Sequence, residues 1–308
     1  MILRVVFMGS PEFAVPTLLS LHANFQVTGV FTQPDKPKGR GRKPFPTAVK
    51  IAAVELGVPV AQPRDLTSAQ SFALLTEWKP DVIVVAAYGK ILPERVLDFP
   101  PLGCVNLHAS LLPRHRGASP IAEAILAGDE FTGVSTMRMD KGLDTGDILL
   151  QKKIPIGKSD TAGSLHDKLM ELGIDLVVRT LQGMIDRSMK PTPQDHAKAT
   201  YTRPLSKQDG RLIWRQEAEY LDRVVRAMNP WPGAFLVFSE ENIKIWEAAP
   251  EKGFARPGRI IAVGEDGIAV GTGNGLLVLR EVQAPGKKRM AAADFARGRR
   301  LKEGDGFD

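Results

Sequence analysis

Short, nearly continuous apolar runs are the feature of this sequence that most restricts its fold. Four of them fall in the first 107 residues: 2–8 (ILRVVFM), 26–32 (QVTGVFT), 81–87 (DVIVVAA) and 103–107 (GCVNL). A strand that is apolar on both sides needs cover on both sides, which is typical of parallel sheets with helices on each face. The runs therefore predict the strands of a buried, mostly parallel sheet.

Helical patterns separate these runs. They cover 14–22, 48–56 (with Thr47 as the predicted N-cap) and 69–78, and a longer one follows at 162–185. Leucines recur in the long segment at a spacing of three or four residues over most of its length, which predicts a helix whose apolar stripe packs on the sheet. Alternating strands and helices favour an open, doubly wound α/β sheet.

The character of the sequence changes after residue 189. Residues 190–206 contain three prolines and no periodic apolar face, which predicts a linker. A short helix at about 217–228 is then followed by predicted strands at 234–238, 243–248, 259–263, 267–271 and 276–282. This pattern is typical of a small β-barrel or sandwich. We therefore expect domains at 1–189 and 207–308, joined by the linker.

Composition excludes several classes of protein. A single cysteine, Cys104, rules out an internal disulfide and is predicted to fill the core. The N-terminus lacks a signal-peptide pattern, and no stretch approaches the ~18 apolar residues of a membrane span, so we expect a cytoplasmic protein that does not contact a membrane. The net charge of +6 favours a polyanionic partner.

The first strand-to-helix turn argues against a nucleotide cofactor. In VVFMGSPEFA only Gly9 is present, whereas a dinucleotide site needs G-x-G-x-x-G so that the backbone can approach the pyrophosphate. A phosphate-binding G-x-x-x-x-G-K-[ST] motif is absent from the sequence as well. The open-sheet rule still places a ligand beyond the carboxyl ends of the strands.

Asn106 and His108 lie at one of these strand ends. Residues two apart in a strand face the same side, so their side chains are expected to project together, with Leu107 facing the opposite layer. An amide donor and an imidazole suit acyl transfer at a carbonyl. The amide can stabilise an oxyanion, and the imidazole can take a proton from the attacking group.

A carboxylate that orients this histidine is predicted in DKGLDTGDI, residues 140–148. Asp144 is the candidate, flanked by Asp140 and Asp147, although aspartates in such turns often serve only turn chemistry. Because the sequence places no obvious serine or cysteine nucleophile with the histidine, direct transfer to an amine is favoured over an acyl-enzyme. A metal site formed by His108, His115 and Asp144 is disfavoured, because the ligand spacing is irregular.

Taken together, these motifs resemble those of the folate-dependent formyltransferases, and within them the branch that acts on methionyl-tRNA. The similar motifs are NLHASLLPRHRGASPI, DKGLDTGDI, FMGSPEFAVPTL, FTQPDKPKGRGRK and AMNPWPGAF, which span essentially the whole chain. The resemblance implies a Rossmann-like sheet domain and a C-terminal barrel similar to an OB-fold. It also implies that Asn106, His108 and Asp144 form the catalytic trio.

The sequence departs from this family pattern near the trio. The family commonly has tryptophan at the position of His115, alanine at that of Ser119, and glycine at that of Ala109. These differences affect the shape of the loop rather than the expected chemistry.

The resemblance further implies the substrates. The donor would be 10-formyltetrahydrofolate, and the acceptor the α-amine of methionine on initiator tRNA. Separately from the resemblance, no residue pattern in the sequence requires a metal. By resemblance, the folate site is expected to comprise Tyr88, Gly89, Ile91, Leu92, Ser110, Leu111, Leu112, Pro113 and Asp140. Ordinary core packing is the alternative for Ile91 and Leu92.

Two basic clusters favour a tRNA partner. Residues 36–43 (KPKGRGRK) contain five Lys/Arg and no acid, and residues 287–302 contain seven basic residues and one acid, Asp294. Such residues contact phosphates and add affinity that salt weakens. From the family's loop we expect Arg40, Arg42 and Lys43 to bind tRNA, and the C-terminal domain to assist. A solvated surface loop is the alternative, and a monomer is expected.

Three other functions stay open at this stage. The acceptor could be an amino sugar nucleotide or glycinamide ribonucleotide, because relatives with those substrates share the Asn-x-His and Asp motifs. The chain could also correspond to the formyl-folate hydrolase half of a larger enzyme. A non-catalytic RNA-binding protein on an enzyme scaffold is the alternative from a different class.

Overall fold

The structure is a computed structural model that describes residues 2–38 and 43–308. Its strands and α-helices, in chain order, are β1 (Arg4–Gly9), α1 (Val15–Asn24), β2 (Gln26–Phe31), β3 (Lys36–Lys38), β4 (Lys43–Phe45), α2 (Ala48–Glu55), β5 (Val60–Ala61), α3 (Ala69–Trp78), β6 (Val82–Ala86), α4 (Glu94–Leu97), β7 (Cys104–His108), β8 (Arg116–Gly117), α5 (Pro120–Ala127), β9 (Phe131–Arg138), β10 (Ile148–Pro155), α6 (Ala162–Ile185), β11 (Tyr201–Thr202), α7 (Ala218–Ala227), β12 (Ala234–Phe238), β13 (Glu241–Glu251), β14 (Ile260–Gly264), β15 (Gly267–Gly271), β16 (Leu276–Gln283), β17 (Met290–Ala291) and α8 (Ala292–Arg299).

The chain separates into two compact units. The first comprises Met1–Pro120, Phe131–Ile154 and His166–Thr202, and the second comprises Ile121–Glu130, Pro155–Leu165 and Arg203–Asp308. The main division therefore falls after Thr202, inside the segment that the sequence predicts as a linker. The domain boundaries at 189 and 206 stay a prediction.

A seven-stranded sheet forms the centre of the first unit, in the order β10-β9-β7-β6-β1-β2-β5. The pairs β1–β2, β1–β6, β6–β7 and β2–β5 are parallel, whereas β7–β9 is antiparallel. The prediction of a mostly parallel sheet is confirmed by the four parallel pairs. The antiparallel pair β7–β9 makes the sheet a mixed one. Strands β6 and β7 are buried at every position, which explains why β6 reads as a continuous apolar run and β7 as one interrupted only by Asn106 and His108.

Helix α3 is held on the sheet by close aromatic packing. The rings of Phe31 and Trp78 lie 4.9 Å apart between centroids. A Cβ at Gly29 would come within 2.2 Å of the Trp78 ring, so strand β2 needs glycine where the helix crosses it. The observed bounds of α3 agree with the predicted 69–78, and Thr47 caps α2 as expected, by accepting a hydrogen bond from Lys50 N–H.

The long helix α6 confirms the predicted 162–185 and packs against β7 and β9. A Cβ at Gly173 would lie 2.6 Å from the Leu107 side chain, and the Thr180 and Thr136 hydroxyls are 2.7 Å apart. Leu107 therefore points towards α6. Because side chains alternate along a strand, Asn106 and His108 point to the opposite face.

Strand β9 and helix α8 are not predicted from the sequence. Strand β9 carries Ser135 and Thr136 at buried positions, so it does not read as an apolar run. The hydroxyls of both residues are satisfied by distant partners, Ser110 O and Thr180 Oγ1, which a local pattern cannot reveal. Helix α8 lies in the basic cluster of residues 287–302, and its charged residues mask its short apolar face.

The second unit contains a six-stranded sheet. Its order is β12-β13-β16-β15-β14, with β17 paired to β16, and the pairs between these strands are antiparallel. Ile243, Ile245, Ile268 and Leu279 are fully buried in it. All five predicted strands occur, and β12 and β15 have the predicted bounds. The expected C-terminal β domain is confirmed.

The predicted linker of residues 190–206 is partly ordered by the first unit. Strand β11 pairs in parallel with β8, in the register Tyr201↔Arg116 and Thr202↔Gly117. Gln194 is buried, with 6% of its surface exposed. Contacts that are distant in sequence therefore order parts of this segment up to residue 202, and its assignment as a linker stays a prediction.

None of the helices in the described part of the chain combines the length and the apolar character that a bilayer crossing needs.

Candidate active site

Asn106 and His108 end strand β7 and project from the same face of the sheet. Their side chains are almost fully enclosed, with 9% and 6% of the residue surface exposed. The structure thus places the two groups as the two-residue spacing predicts. An enclosed imidazole and amide interact with charges more strongly than they would in water.

The His108 ring has an acceptor at each nitrogen. Its Nε2 lies 2.9 Å from the backbone oxygen of His115. A carbonyl oxygen can only accept, so Nε2 carries a hydrogen and donates it. The other nitrogen, Nδ1, lies 3.6 Å from Oδ2 of Asp144, an ion-pair distance that is longer than a hydrogen bond. Nδ1 is therefore the nitrogen free to exchange a proton.

The Asp144 carboxylate is where the three predicted groups meet. The Asn106 amide nitrogen donates to Oδ1 across 3.5 Å, and the Gly117 backbone N–H donates to Oδ2 across 2.8 Å. Hydrogen bonds to a carboxylate are about twice as strong as those between neutral groups, so the Gly117 contact fixes the carboxylate firmly. The convergence that the sequence predicts is present in the structure.

Two tight backbone positions create this arrangement. Asp144 has a φ of 54°, in the left-handed region that aspartate tolerates better than most residues. Gly117 has a φ of 107°, and a Cβ there would lie 2.4 Å from the backbone oxygen of Thr202. Only glycine lets the 117 N–H approach the carboxylate so closely.

The other two aspartates of residues 140–148 shape the loop. Oδ1 of Asp140 accepts hydrogen bonds from Gly142 N–H at 3.0 Å and from the Thr145 hydroxyl at 2.6 Å. The backbone oxygen of Asp147 accepts from Arg138 N–H at 2.9 Å. Hydrogen bonds within the turn therefore account for the position of the Asp140 side chain. The assignment of Asp140 to folate binding, which comes from the sequence, stays a prediction.

Residues 110–113 form a loop beside the trio that hydrogen bonds hold in place, and we call this loop the wall. The Ser110 hydroxyl donates to Arg114 O at 2.7 Å, and the Ser135 hydroxyl donates to Ser110 O at 2.6 Å. The amide of Gln151 donates to Leu112 O at 2.9 Å. Ser110 and Leu112 are buried, whereas Leu111 and Pro113 are half-buried, so the wall offers backbone and apolar surface to a ligand.

The predicted folate residues 88–92 divide between core and surface. Tyr88 and Leu92 belong to the core cluster with Val85 and Trp78, whereas Ile91 is 88% exposed. Burial raises the pKa of Tyr88 to about 12, so its phenol is neutral. The Gln33 amide, which the sequence does not single out, donates to Tyr88 O at 3.1 Å and to Gly89 O at 3.2 Å. Core packing is confirmed for Leu92 and not for Ile91.

Cys104 fills the core, as predicted. It is buried, and burial raises the pKa of its thiol to about 12, which keeps it un-ionised and unreactive. Among the described residues no group of three or more His, Cys, Asp or Glu side chains could hold a metal ion.

The predicted tRNA-binding residues lie partly outside the described residues. Arg40 and Arg42 are not described, and Lys43 begins strand β4, which pairs antiparallel with β3. In the second basic cluster all seven Lys and Arg side chains are exposed. Arg289, Arg297 and Arg299 pair with Glu281, Asp294 and Glu241 respectively.

Two further polar residues beside the trio are not predicted from the sequence. Arg116 is fully buried next to Gly117, and Gln194 is buried in the predicted linker. Arg116 belongs to a basic Arg-x-Arg pair, a pattern that predicts surface exposure. Gln194 follows two prolines in a segment without periodic apolar residues. Neither position carries a local signal for burial.

Sequence comparison identifies the family of the chain. Residues 3–181 match the family described as Formyl transferase, and residues 204–300 match its C-terminal domain. A "Methionyl-tRNA formyltransferase" from Citrifermentans bemidjiense is 44% identical over 303 residues, which is 98% of this chain and 95% of that protein. One of the same name from Pelotomaculum thermopropionicum is 46% identical over 306 residues, 98% and 97% of the two chains.

Solved structures support the fold. The sugar 3N-formyltransferase WlaRD, solved with dTDP and 5-N-formyl-THF, superposes with a TM-score of 0.69 at 17% identity, over 94% of this chain and all of that one. HypX from Aquifex aeolicus, solved with tetrahydrofolic acid, gives a TM-score of 0.63 at 17% identity, over 96% of this chain and 47% of that one. At this level of identity the likeness concerns the fold alone.

The close packing of the 140–148 loop can be tested at Gly146. A Cβ there would lie 1.7 Å from Arg138 O, so Gly146→Ala must displace backbone and is expected to cost about 1–3 kcal/mol of unfolding free energy. Urea denaturation, monitored by circular dichroism, measures this loss of unfolding free energy. Gly298→Ala in helix α8 is the control, since nothing lies within 4 Å of its added Cβ, and it should be neutral or slightly stabilising. Equal stability of the two variants would show that the loop is not tightly packed.

Proposed function

The chain belongs to the formyltransferase family, and on this basis we propose that it is a methionyl-tRNA formyltransferase. It transfers the formyl group of 10-formyltetrahydrofolate to the α-amine of methionine on initiator tRNA. The identity of 44–46% to relatives of that name, over nearly the full length of both chains, supports this substrate pair. The observation that carries the chemistry is the convergence of Asn106 and His108 on the Asp144 carboxylate.

Asn106 would act on the carbonyl oxygen. The neutral amine attacks the formyl carbon and forms the new C–N bond, which leaves a tetrahedral intermediate with a negative oxygen. One N–H of the Asn106 amide is directed to Asp144, so its second N–H is available to this oxyanion. An enclosed, prepositioned donor of this kind is worth several kcal/mol in the transition state.

His108 would carry the proton. Its Nε2–H is held by His115 O, which leaves Nδ1 to take the proton that the attacking amine loses. The resulting imidazolium lies against the Asp144 carboxylate, whose negative charge stabilises it. When the bond between the formyl carbon and folate N10 breaks, the same proton can pass to N10. The products are formylmethionyl-tRNA and tetrahydrofolate.

The folate would bind beside the braced loop of residues 110–113. The flat pterin needs an apolar wall and a few fixed hydrogen-bonding groups, which is the usual composition of a small-molecule site. Ser110, Leu111, Leu112 and Pro113 supply the wall on one side in this proposal. The side chains of Tyr88 and Leu92 are packed in the core. The 88–92 segment would therefore contribute its backbone groups, together with Gly89 and the exposed Ile91.

The tRNA would be held by the two basic clusters. Arg40, Arg42 and Lys43 belong to the first, residues 36–43, of which Lys43 begins β4 while Arg40 and Arg42 lie outside the described residues. Residues 287–302 form the second, and the exposure of their Lys and Arg side chains leaves these accessible to phosphates. We also propose that the protein is a cytoplasmic monomer. Light scattering would measure its mass in solution directly.

The catalytic assignment predicts large losses of turnover without unfolding. Asn106→Ala, His108→Ala and Asp144→Asn should each lower kcat by about 10²–10⁴. Formylation of charged initiator tRNA, assayed with 10-formyltetrahydrofolate, measures this, and thermal unfolding monitors the fold. Asn24→Ala and His22→Ala are the matched controls, because both residues are exposed at the end of α1, and they should keep full turnover.

The same assay tests the acceptor. Charged initiator tRNA, charged elongator tRNA and an amino sugar nucleotide are supplied in parallel, and initiator tRNA should be formylated fastest. Formylation of the sugar nucleotide alone would overturn the proposed acceptor. Near-normal turnover in any trio variant would overturn the role given to that residue.

The tRNA role of residues 287–302 predicts a change in salt dependence. Lys287→Ala/Lys288→Ala should weaken tRNA binding and lower the slope of log Kd against log [salt] by about 0.9 for each phosphate that the variant no longer neutralises. Filter binding over a range of salt concentrations measures the slope. Lys152→Ala/Lys153→Ala is the control, since this exposed pair lies on β10 outside both clusters. An unchanged slope in the 287/288 variant would remove these two lysines from the interface.

A further inference from the structure

Arg116 is anchored in the interior beside the trio. Its Nε and Nη2 donate to Oε1 of Gln194 at 3.2 and 2.7 Å. Nη1 donates to the Tyr201 hydroxyl at 3.0 Å, and Nη2 also donates to Nδ1 of His196 at 3.1 Å. A buried charge is costly unless its donors are satisfied, so these contacts determine where Gln194 lies.

Gln194 connects this guanidinium to the loop that carries Asp144. Its side-chain nitrogen donates to the backbone oxygens of Asp144 at 2.9 Å and of Gly146 at 2.7 Å. The amide therefore uses its acceptor for Arg116 and both of its hydrogens for the loop. Asp144 has a φ of 54°, and a residue in this sparsely populated region persists only where its surroundings hold it.

The same segment also supports the other side of His108. The Thr200 hydroxyl accepts from His115 N–H at 2.8 Å, and Thr200 O accepts from Arg116 N–H at 2.8 Å. His115 has a φ of 57°, and its carbonyl holds Nε2 of His108. Both acceptors that face the imidazole are thus attached to residues 194–202.

We propose that Gln194 is a positioning residue, which fixes the backbone of Asp144 and thereby keeps its carboxylate against Nδ1 of His108. The proposal rests on the proposed function, because Gln194 acts through Asp144 and His108 and not on the substrates. Segment 190–202 is then part of the catalytic unit and more than a connection between domains.

The hydrogen bonding of the Gln194 amide allows its positioning role to be distinguished from simple packing. A glutamate at position 194 has the same shape, still accepts from Arg116, and gains an ion pair with it. It cannot donate to the carbonyls of Asp144 and Gly146, and it places a carboxylate oxygen against them. Gln194→Glu therefore keeps the anchor and removes the positioning bonds.

The experiment compares Gln194→Glu with Gln194→Ala, Asp144→Asn and the control Gln182→Glu, whose residue is exposed on α6. Steady-state formylation gives kcat and the KM of both substrates, and circular dichroism gives the folded fraction at the assay temperature. Rates are expressed per folded enzyme. We expect kcat of Gln194→Glu to fall roughly tenfold to hundredfold, because a small misplacement of a catalytic group has effects of that size.

The KM values of Gln194→Glu should stay near those of the wild type, since an interaction that acts only in the transition state changes kcat. Gln194→Glu should also unfold at a higher temperature than Gln194→Ala. Gln182→Glu should match the wild type throughout.

Two results would overturn the proposal: a kcat for Gln194→Glu equal to that of the wild type or of Gln182→Glu, or a rise in either KM with kcat unchanged. If Asp144→Asn loses turnover and Gln194→Glu does not, the positioning role fails while the proposed function stands. If Asp144→Asn keeps normal turnover, the catalytic trio of the proposed function fails, and the positioning role fails with it.

Discussion

The position of the Asp144 carboxylate is the constraint on which the rest of the site depends. One of its oxygens is held by the Gly117 N–H at 2.8 Å, and the same oxygen faces Nδ1 of His108 at 3.6 Å. The His108 ring is held from its other side by His115 O. The ring therefore has one nitrogen fixed as a donor and one directed at a negative charge, which suits it to take up and return a single proton.

Backbone geometry, more than side-chain choice, produces this arrangement. The sheet brings Asn106 and His108 to one strand end, and tight turns with left-handed residues at His115 and Asp144 bring their partners to the same place. Gly117 allows the closest approach, because a side chain there would meet Thr202 O. The proposed site thus lies at the carboxyl end of β7 and in the loops beyond it, the usual place for a site in an open α/β sheet.

Local periodicity makes part of this molecule predictable from its sequence. Prediction fails where contacts with residues distant in sequence determine the structure. Helices α3 and α6 are predictable because their apolar spacing is regular, and the pairing of Asn106 with His108 because strands have a period of two. Strand β9, Arg116 and Gln194 escape prediction for one shared reason. Each has buried polar groups whose partners lie far along the chain, such as Gln194, which is 78 residues from Arg116. Hydrogen bonds over such separations leave no local pattern.

The most direct test is to determine which nitrogen of the neutral His108 ring carries the hydrogen, by two-bond ¹H–¹⁵N correlation spectroscopy of the ¹⁵N-labelled protein. We expect the hydrogen on Nε2, bonded to His115 O, and an unprotonated Nδ1 that faces Asp144. A neutral ring with its hydrogen on Nδ1 would contradict this expectation, because Nδ1 would then have no lone pair with which to accept a proton from the substrate amine.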